Sequence, residues 1–206
     1  MVNIQQLQEK ALANNIPIMQ DEGLMFMCDR LNECQASSVL EIGSAVGYSA
    51  IFMALHVRDL KIDTIERDEV RHLEAKQNVS EFELNDRITL HLADALEFDE
   101  THLQHAPYDL LFIDAAKAQY QKFFEKYVGY VKEDGMIIVD NLDFHGMIFD
   151  IEHIHNRNTK QLVKKIKRFK EWILNNDNYE SEYHAVGDGI VLIRKKEQHE
   201  THVSVK

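Results

Sequence analysis

A doubly wound α/β domain, mostly parallel in its sheet and closed by an antiparallel C-terminal hairpin, is the fold class this sequence predicts. Two observations carry that reading. Short apolar, β-branched runs alternate with segments of helical period, and strand, helix, strand repeated along a chain means parallel strands joined by right-handed crossovers, with helices on both faces. Near the end, YESEYHAV and GIVLIRKK are separated by only a turn-forming Gly187-Asp188, a link so short that the two runs must be antiparallel.

Taken in order, two helices open the chain over roughly 3–14 and 20–34, parted by Pro17, and their amphipathic character hints at a homodimer interface. The first strand reads at SSVLEIG (37–43) and is followed by the helical YSAIFMALH. KIDTIE (61–66) is the second strand, with DEVRHLEAKQNVSEF as its helix. The third and fourth strands are RITLHLAD (87–94) and YDLLFID (108–114). Next comes AQYQKFFEKYVGYV, which sets Tyr120, Phe123, Phe124, Tyr127 and Val131 near one stripe. GMIIVDN (135–141) is the fifth strand, and one more helix spans about 158–175.

With 206 residues, 45% of them hydrophobic, the chain can bury a substantial core and reads as a single domain over 1–206: N-terminal helices over 1–36, a core over 37–196 and a polar tail over 197–206. The net charge of −12 argues against indiscriminate binding to nucleic acid or anionic membrane. No apolar stretch approaches the ~20 residues of a membrane span. The N-terminus lacks a signal peptide's apolar core, so a cytoplasmic protein is expected. Cys28 and Cys34 have no CxxC partner and are expected to be reduced packing residues.

Acids stand at the end of every parallel strand: Glu41 in the first, Glu66, Asp94 and Asp114 in the next three, and the Asp140-Asn141 pair in the fifth. In an open parallel sheet these ends share one edge, where ligands bind at the topological switch point. Any one of them could be a helix N-cap. Together they would repel one another unless ligand groups or cations offset the charge.

The first strand-to-helix turn, VLEIGSAVGYS (39–49), narrows the ligand. Gly43 and Gly47 let the backbone pass close to a bound molecule. Their GxxxG spacing departs from the GxGxxG of a dinucleotide site, which disfavours an oxidoreductase. With Glu41 just ahead, the turn suits an ammonium or sulfonium better than a pyrophosphate, and Glu66 is well placed for a ribose diol.

ExGxxxGYS, the acid Glu66, the Asp94-Ala95 pair, FIDAAKAQY and IIVDN together resemble the metal- and S-adenosylmethionine-dependent O-methyltransferases of the catechol and caffeoyl-CoA type, over about Ile16 to Ile193. Within that family the chain looks most similar to the bacterial enzymes that methylate 5-hydroxyuridine at the tRNA wobble position. The resemblance implies the class I methyltransferase fold, a doubly wound seven-stranded sheet. It implies S-adenosylmethionine contacts from Met19, Ser49, Glu66, Asp94, Ala95 and Asp114, with Glu41, Gly43 and Ser44 as neighbours. It makes Asp114, Asp140 and Asn141 the metal ligands and Lys117 the catalytic lysine. Two carboxylates and an amide carbonyl are hard oxygen donors, so Mg²⁺ is expected.

Three function classes follow: methylation of tRNA through its anticodon arm, methylation of a small catechol-like or phenolic substrate, and a non-catalytic cofactor-binding module. The third should have lost a metal ligand or the lysine. Asp143 and His145 fall where a substrate rim should lie, without an assigned role, and His153 and His155 read as surface histidines. RNTKQLVKKIKRFK (157–170) holds seven basic residues and no acid. Its Leu162, Ile166 and Phe169, with Ile173, should form a buried stripe that leaves Lys160, Lys164, Lys165, Lys167, Arg168 and Lys170 on the outer faces, able to hold RNA phosphates.

Overall fold

The computed structural model describes residues 3–196, and the tail expected over 197–206 lies outside them. Helices α1 (Ile4–Ala13) and α2 (Asp21–Glu33) precede alternating strands and helices: β1 (Ser38–Ile42), α3 (Tyr48–His56), β2 (Lys61–Glu66), α4 (Glu69–Glu81), β3 (Ile88–Leu92), β4 (Tyr108–Ile113), α5 (Tyr120–Tyr127) and β5 (Val131–Val139). Then come α6 (Arg157–Leu174) and the hairpin strands β6 (Tyr179–His184) and β7 (Ile190–Lys195). The sheet has seven strands in the order β3-β2-β1-β4-β5-β7-β6. Pairing is parallel from β3 through β5, and β7 runs antiparallel to both β5 and β6.

Local chemistry starts the helices where the chain leaves the sheet. Asn3, Asp68 and Asn156 each accept a hydrogen bond from a backbone N–H in the first turn of α1, α4 and α6. β1 is buried along its whole length, as the centre of a parallel sheet covered on both faces should be. Alternation divides the core. Val39, Leu110, Phe112 and Ile138 face α1, α2 and α3, whereas Leu40, Ile42, Leu111, Ile113 and Val139 face α5 and α6. Among the described residues no helix is long and apolar enough to cross a membrane.

Four expectations need correction. The fifth strand ends at Val139, so Asp140 and Asn141 stand in the loop beyond it, with Asn141 in left-handed backbone (φ 58°). Cys28 is buried, but Cys34 is exposed because it is the C-cap of α2 and no longer follows the helix's inner face. On α6 the buried stripe is Val163, Ile166, Phe169 and Ile173, and Leu162 is only half-buried. Of the basic residues there, Lys170 is drawn inward onto Asp143 at 2.9 Å and Lys160 reaches Glu152 at 3.3 Å. The apolar faces of α1 and α2 bury Leu7, Ala11, Leu24, Met27 and Leu31 inside the chain, and Leu12 and Met25 on the same helices stay exposed.

Glu41 is wholly buried in β1, and only the hydroxyls of Ser49 and Thr64 reach its carboxyl group. Burial pushes its pKa from 4.5 up to about 7; the two hydrogen bonds oppose the rise and the charges of Asp114 and Glu66 add to it. A raised carboxyl contributes stability that is full below its unfolded pKa and is lost as pH climbs through its folded one. Glu41→Gln keeps the shape and removes the titration. Urea unfolding at about pH 5 and about pH 8 should therefore show the parent losing stability relative to the variant as pH rises; an equal gap at both values would refute this.

Candidate active site

The parallel register decides which residues meet. Ile42 lies opposite Ile65 of β2 and Ile113 of β4, and Ile113 lies opposite Val139 of β5. The residues that follow, Gly43, Glu66, Asp114 and Asp140, therefore leave the sheet in one row. Backbone hydrogen bonds carry the ladder one step further, from Gly43 N–H to Ile65 (2.9 Å), Asp114 N–H to Ile42 (3.0 Å) and Asp140 N–H to Ile113 (3.3 Å). A cleft of about 710 Å³ opens on this edge.

Gly43 makes the row possible. At φ 98° its backbone suits glycine alone, and a Cβ there would lie 2.3 Å from the carbonyl oxygen of Asp114. Met19, Gly43, Ser44, Ser49, Glu66, Asp94 and Ala95 line one part of the cleft. Glu66 accepts from the backbone N–H of Ala45 (2.9 Å) and Asp68 (2.8 Å), which ties the carboxylate to the glycine turn. The Ser44 hydroxyl is buried with no hydrogen-bond partner among the described residues, which is costly unless a ligand supplies one. Glu41 does not line the cleft; it sits one layer behind, gripping the hydroxyl of the lining residue Ser49.

Asp114, Lys117 and Asn141 line the adjoining part of the cleft. Asp140 is only 2% exposed beside them and accepts from the Asn141 side-chain nitrogen at 3.1 Å. Burial raises the pKa of Asp140 and the Asp114 charge raises it further; burial raises Asp114 too, opposed by Lys117. Two carboxyl groups pushed toward neutrality mark a place short of positive charge. The Lys117 ammonium meets part of that need, bonded to the Asn141 carbonyl oxygen and 3.8 Å from Asp114. Such an oxygen set fits a hard divalent cation. Among the described residues no group of three or more His, Cys, Asp or Glu could hold a metal ion, and the third oxygen of this cluster is the side-chain carbonyl of Asn141.

Other contributors to the wall have no sequence signal of their own. Arg71, Phe123, Phe144, Leu162 and Asp188 come from five separate segments and meet only because the helices and hairpin pack around the sheet edge. His145 also lines the cleft, with its backbone N–H bonded to Asp188 at 2.6 Å, whereas Asp143 does not. His153 and His155 are exposed.

A family model described as O-methyltransferase matches residues 1–196. The catechol O-methyltransferase of Niastella koreensis is 27% identical over 139 residues, which cover 66% of this chain and 61% of that protein, so the chain spans less than two thirds of this relative's length. The caffeoyl-CoA O-methyltransferase of Populus kitakamiensis is 24% identical over 186 residues, 88% of this chain and 78% of that one. Among solved structures, a Staphylococcus aureus protein described as a candidate caffeoyl-CoA O-methyltransferase superposes with a TM-score of 0.90 at 34% identity, covering 95% of this chain and 93% of that chain. The Bacillus cereus O-methyltransferase in complex with SAH shares the fold, with a TM-score of 0.78 at 24% identity over 94% and 90% of the two chains.

The close approach at Gly43 gives a direct test of the row. Gly43→Ala forces a Cβ against the Asp114 carbonyl, backbone that has nowhere to go, and a strained φ alone costs about 1–3 kcal/mol. Calorimetry should show the melting temperature falling by about 2 °C or more; an unchanged value would mean that β1 and β4 can part here freely.

Proposed function

This chain belongs to the O-methyltransferase family, and from that premise we propose that it transfers a methyl group from S-adenosylmethionine to a hydroxyl oxygen with the help of Mg²⁺. The observation that carries the proposal is the single row of Gly43, Glu66, Asp114 and Asp140, which joins a nucleoside-type wall to a hard-oxygen cluster. The bound groups supply an electrophilic sulfonium methyl and a positive charge that lowers the hydroxyl's pKa.

The chain's own residues do the rest. Glu66 takes the ribose diol, and Met19, Ser44, Ser49, Asp94 and Ala95 hold the remainder of the cofactor, with Glu41 behind Ser49 setting its rotamer. Asp114, Asp140 and Asn141 hold the cation. Lys117 Nζ, already inside the cluster, steers the proton that leaves the substrate hydroxyl, or accepts it when in its neutral amine form. The complete set of ligands and lysine speaks against a non-catalytic module.

For the acceptor we favour 5-hydroxyuridine at the tRNA wobble position, giving 5-methoxyuridine. Leu162 lines the cleft, so the exposed Lys164, Lys165, Lys167 and Arg168 on the same helix stand within two turns of the rim. A wobble base lies in a single-stranded loop, where it can be splayed out while cations hold the flanking phosphates. A small catechol-like or phenolic acceptor is the second reading, favoured by the activities named for the Niastella and Populus relatives.

Two substitutions separate the roles. Asp140→Ala should abolish turnover yet leave S-adenosylmethionine affinity, followed by calorimetry, close to the parent. Lys117→Ala should lower kcat roughly 10²–10⁴-fold with little change in KM. Full parental activity in excess EDTA would sink the metal's part, and an undiminished kcat that of the lysine.

The acceptor is decided by methyl transfer to undermodified tRNA against a simple catechol. Lys164→Glu with Lys165→Glu and Arg168→Glu should weaken tRNA methylation and flatten its dependence on salt, while folding and cofactor affinity hold. Equal tRNA methylation by parent and triple variant at every salt concentration would leave α6 a solvated face.

A further inference from the structure

Asp143, Lys170 and Tyr183 form a half-buried polar cluster that none of the chemistry above uses. The Lys170 ammonium lies 2.9 Å from the Asp143 carboxylate, with the two side chains only 14% and 16% exposed. The Tyr183 hydroxyl donates to the other carboxylate oxygen, and the ammonium also sits 3.5 Å from the centre of the Tyr183 ring. Burial first, and the Asp143 bond second, push the Tyr183 pKa up to about 12, so the hydroxyl stays a donor. None of the three lines the cleft. Removing an ion pair from water is costly, and replacement by apolar groups is often neutral or stabilising, so its presence needs a reason other than stability.

Its place in the chain supplies one. Asp143 follows Asn141 by two residues, in a loop where Asn141, Phe144, His145 and Gly146 all have positive φ (58°, 46°, 55° and 77°). Three of these are not glycine, and such backbone persists only where the surroundings over-determine it. Here they do. Leu142 N–H donates to Gly189 (2.9 Å), Asp143 N–H to the Asp188 carbonyl (2.9 Å) and His145 N–H to the Asp188 carboxylate (2.6 Å). Gly189 itself presses on the cluster, since a Cβ there would lie 2.6 Å from the Asp143 carboxyl carbon. The loop is thus held from α6 by Lys170, from β6 by Tyr183, and from the β6–β7 turn by Asp188 and Gly189.

We infer that Asp143 is a positioning residue: clamped by Lys170 and Tyr183, it fixes the left-handed backbone at Asn141 and so aims the Asn141 carbonyl oxygen at the cation site. This rests on the reading of Asn141 as a metal donor given above. The consequence is that α6 and the C-terminal hairpin, which contribute no donor, govern how well the cation is held.

The Asn141 side-chain amide reports its own placement, because its nitrogen bonds Asp140 and its oxygen bonds Lys117. In ¹⁵N-labelled, cation-free protein its NH₂ resonances, assigned by their loss in Asn141→Asp, should stand apart from those of exposed asparagines and collapse toward them in Asp143→Asn. Mn²⁺ alone, followed by electron paramagnetic resonance, should bind Asp143→Asn about tenfold more weakly than the parent. Lys170→Met should act in the same direction, and the double variant should lose no more than the worse single one, since both act through one contact. Tyr183→Phe, which keeps the packing and removes one hydrogen bond, should weaken Mn²⁺ about threefold and serves if the charge variants fail to fold. S-adenosylmethionine affinity should stay at the parent value throughout. If the Asn141 resonances and the Mn²⁺ affinity match the parent in Asp143→Asn, or in Tyr183→Phe should that variant alone fold, the cluster is structural and the inference is overturned. A parent that binds no Mn²⁺ would instead sink the metal-dependent reading, while the Asn141 resonances would still decide the clamp.

Discussion

Parallel pairing between β2, β1, β4 and β5 is the constraint on which everything at this sheet edge depends. A slip of the ladder by one residue would exchange the two faces, taking Ile42, Ile65, Ile113 and Val139 from the core layer under α5 and α6 and putting residues such as Glu41 and Thr64 in their place. Core burial therefore sets the register, and the register sets the site. Gly43, Glu66, Asp114 and Asp140 come level because four apolar residues before them pack in one layer. The same logic explains why the chain must carry glycine at 43: once β1 and β4 are fixed side by side, the Asp114 carbonyl occupies the space a side chain would need.

Gathering acids creates an electrostatic problem, and the chain answers it differently at each position. Asp63 and Glu41 are both fully buried, on adjacent strands. Burial alone would raise Asp63, but hydrogen bonds from His91 and Tyr108 outweigh it and the pKa is lowered; the backbone N–H groups of Gln104 and His105 also donate to this carboxylate. Glu41 has two hydroxyl donors and the charges of Asp114 and Glu66 nearby, and it goes the other way. Burial is the largest effect on both, and the donors and charges set against it decide whether it prevails. Asp114 and Asp140 go the way of Glu41, both raised by burial, with the Lys117 ammonium opposing the rise and the cleft opening beside them.

The two halves of the molecule divide the labour accordingly. The β1–α3 turn and the end of β2 shape the nucleoside-type wall, whereas the loop after β5 takes its form from α6 and the hairpin through Asp143, Lys170 and Tyr183. That second half joins the parallel sheet through the antiparallel β7, and its Lys170, Tyr183 and Asp188 bond to residues that precede them in the chain.

By itself the sequence determined the fold class, the parallel core with its antiparallel hairpin, and the set of acids at the strand ends, because these follow from local periodicity and from short links that leave one geometry open. Asp94, Asp114 and the Asp140-Asn141 pair stand out for the same reason, each where an apolar run stops, whereas Ala95 and Lys117 are singled out only by the resemblance to the family. Tertiary structure alone decided which side of a strand each group occupies relative to the cleft. Glu41 ends up behind the wall with its carboxyl group held by Thr64 of β2 and Ser49 of α3, and Cys34 is exposed because the helix ends one residue before it. Lys170 looked like one more solvated cation on a basic helix; only packing against the loop after β5 turned it inward onto Asp143. Contacts of that kind join residues 27 and 40 positions apart, and no local pattern encodes them, since they exist only once the core has fixed the distance between the elements that carry them.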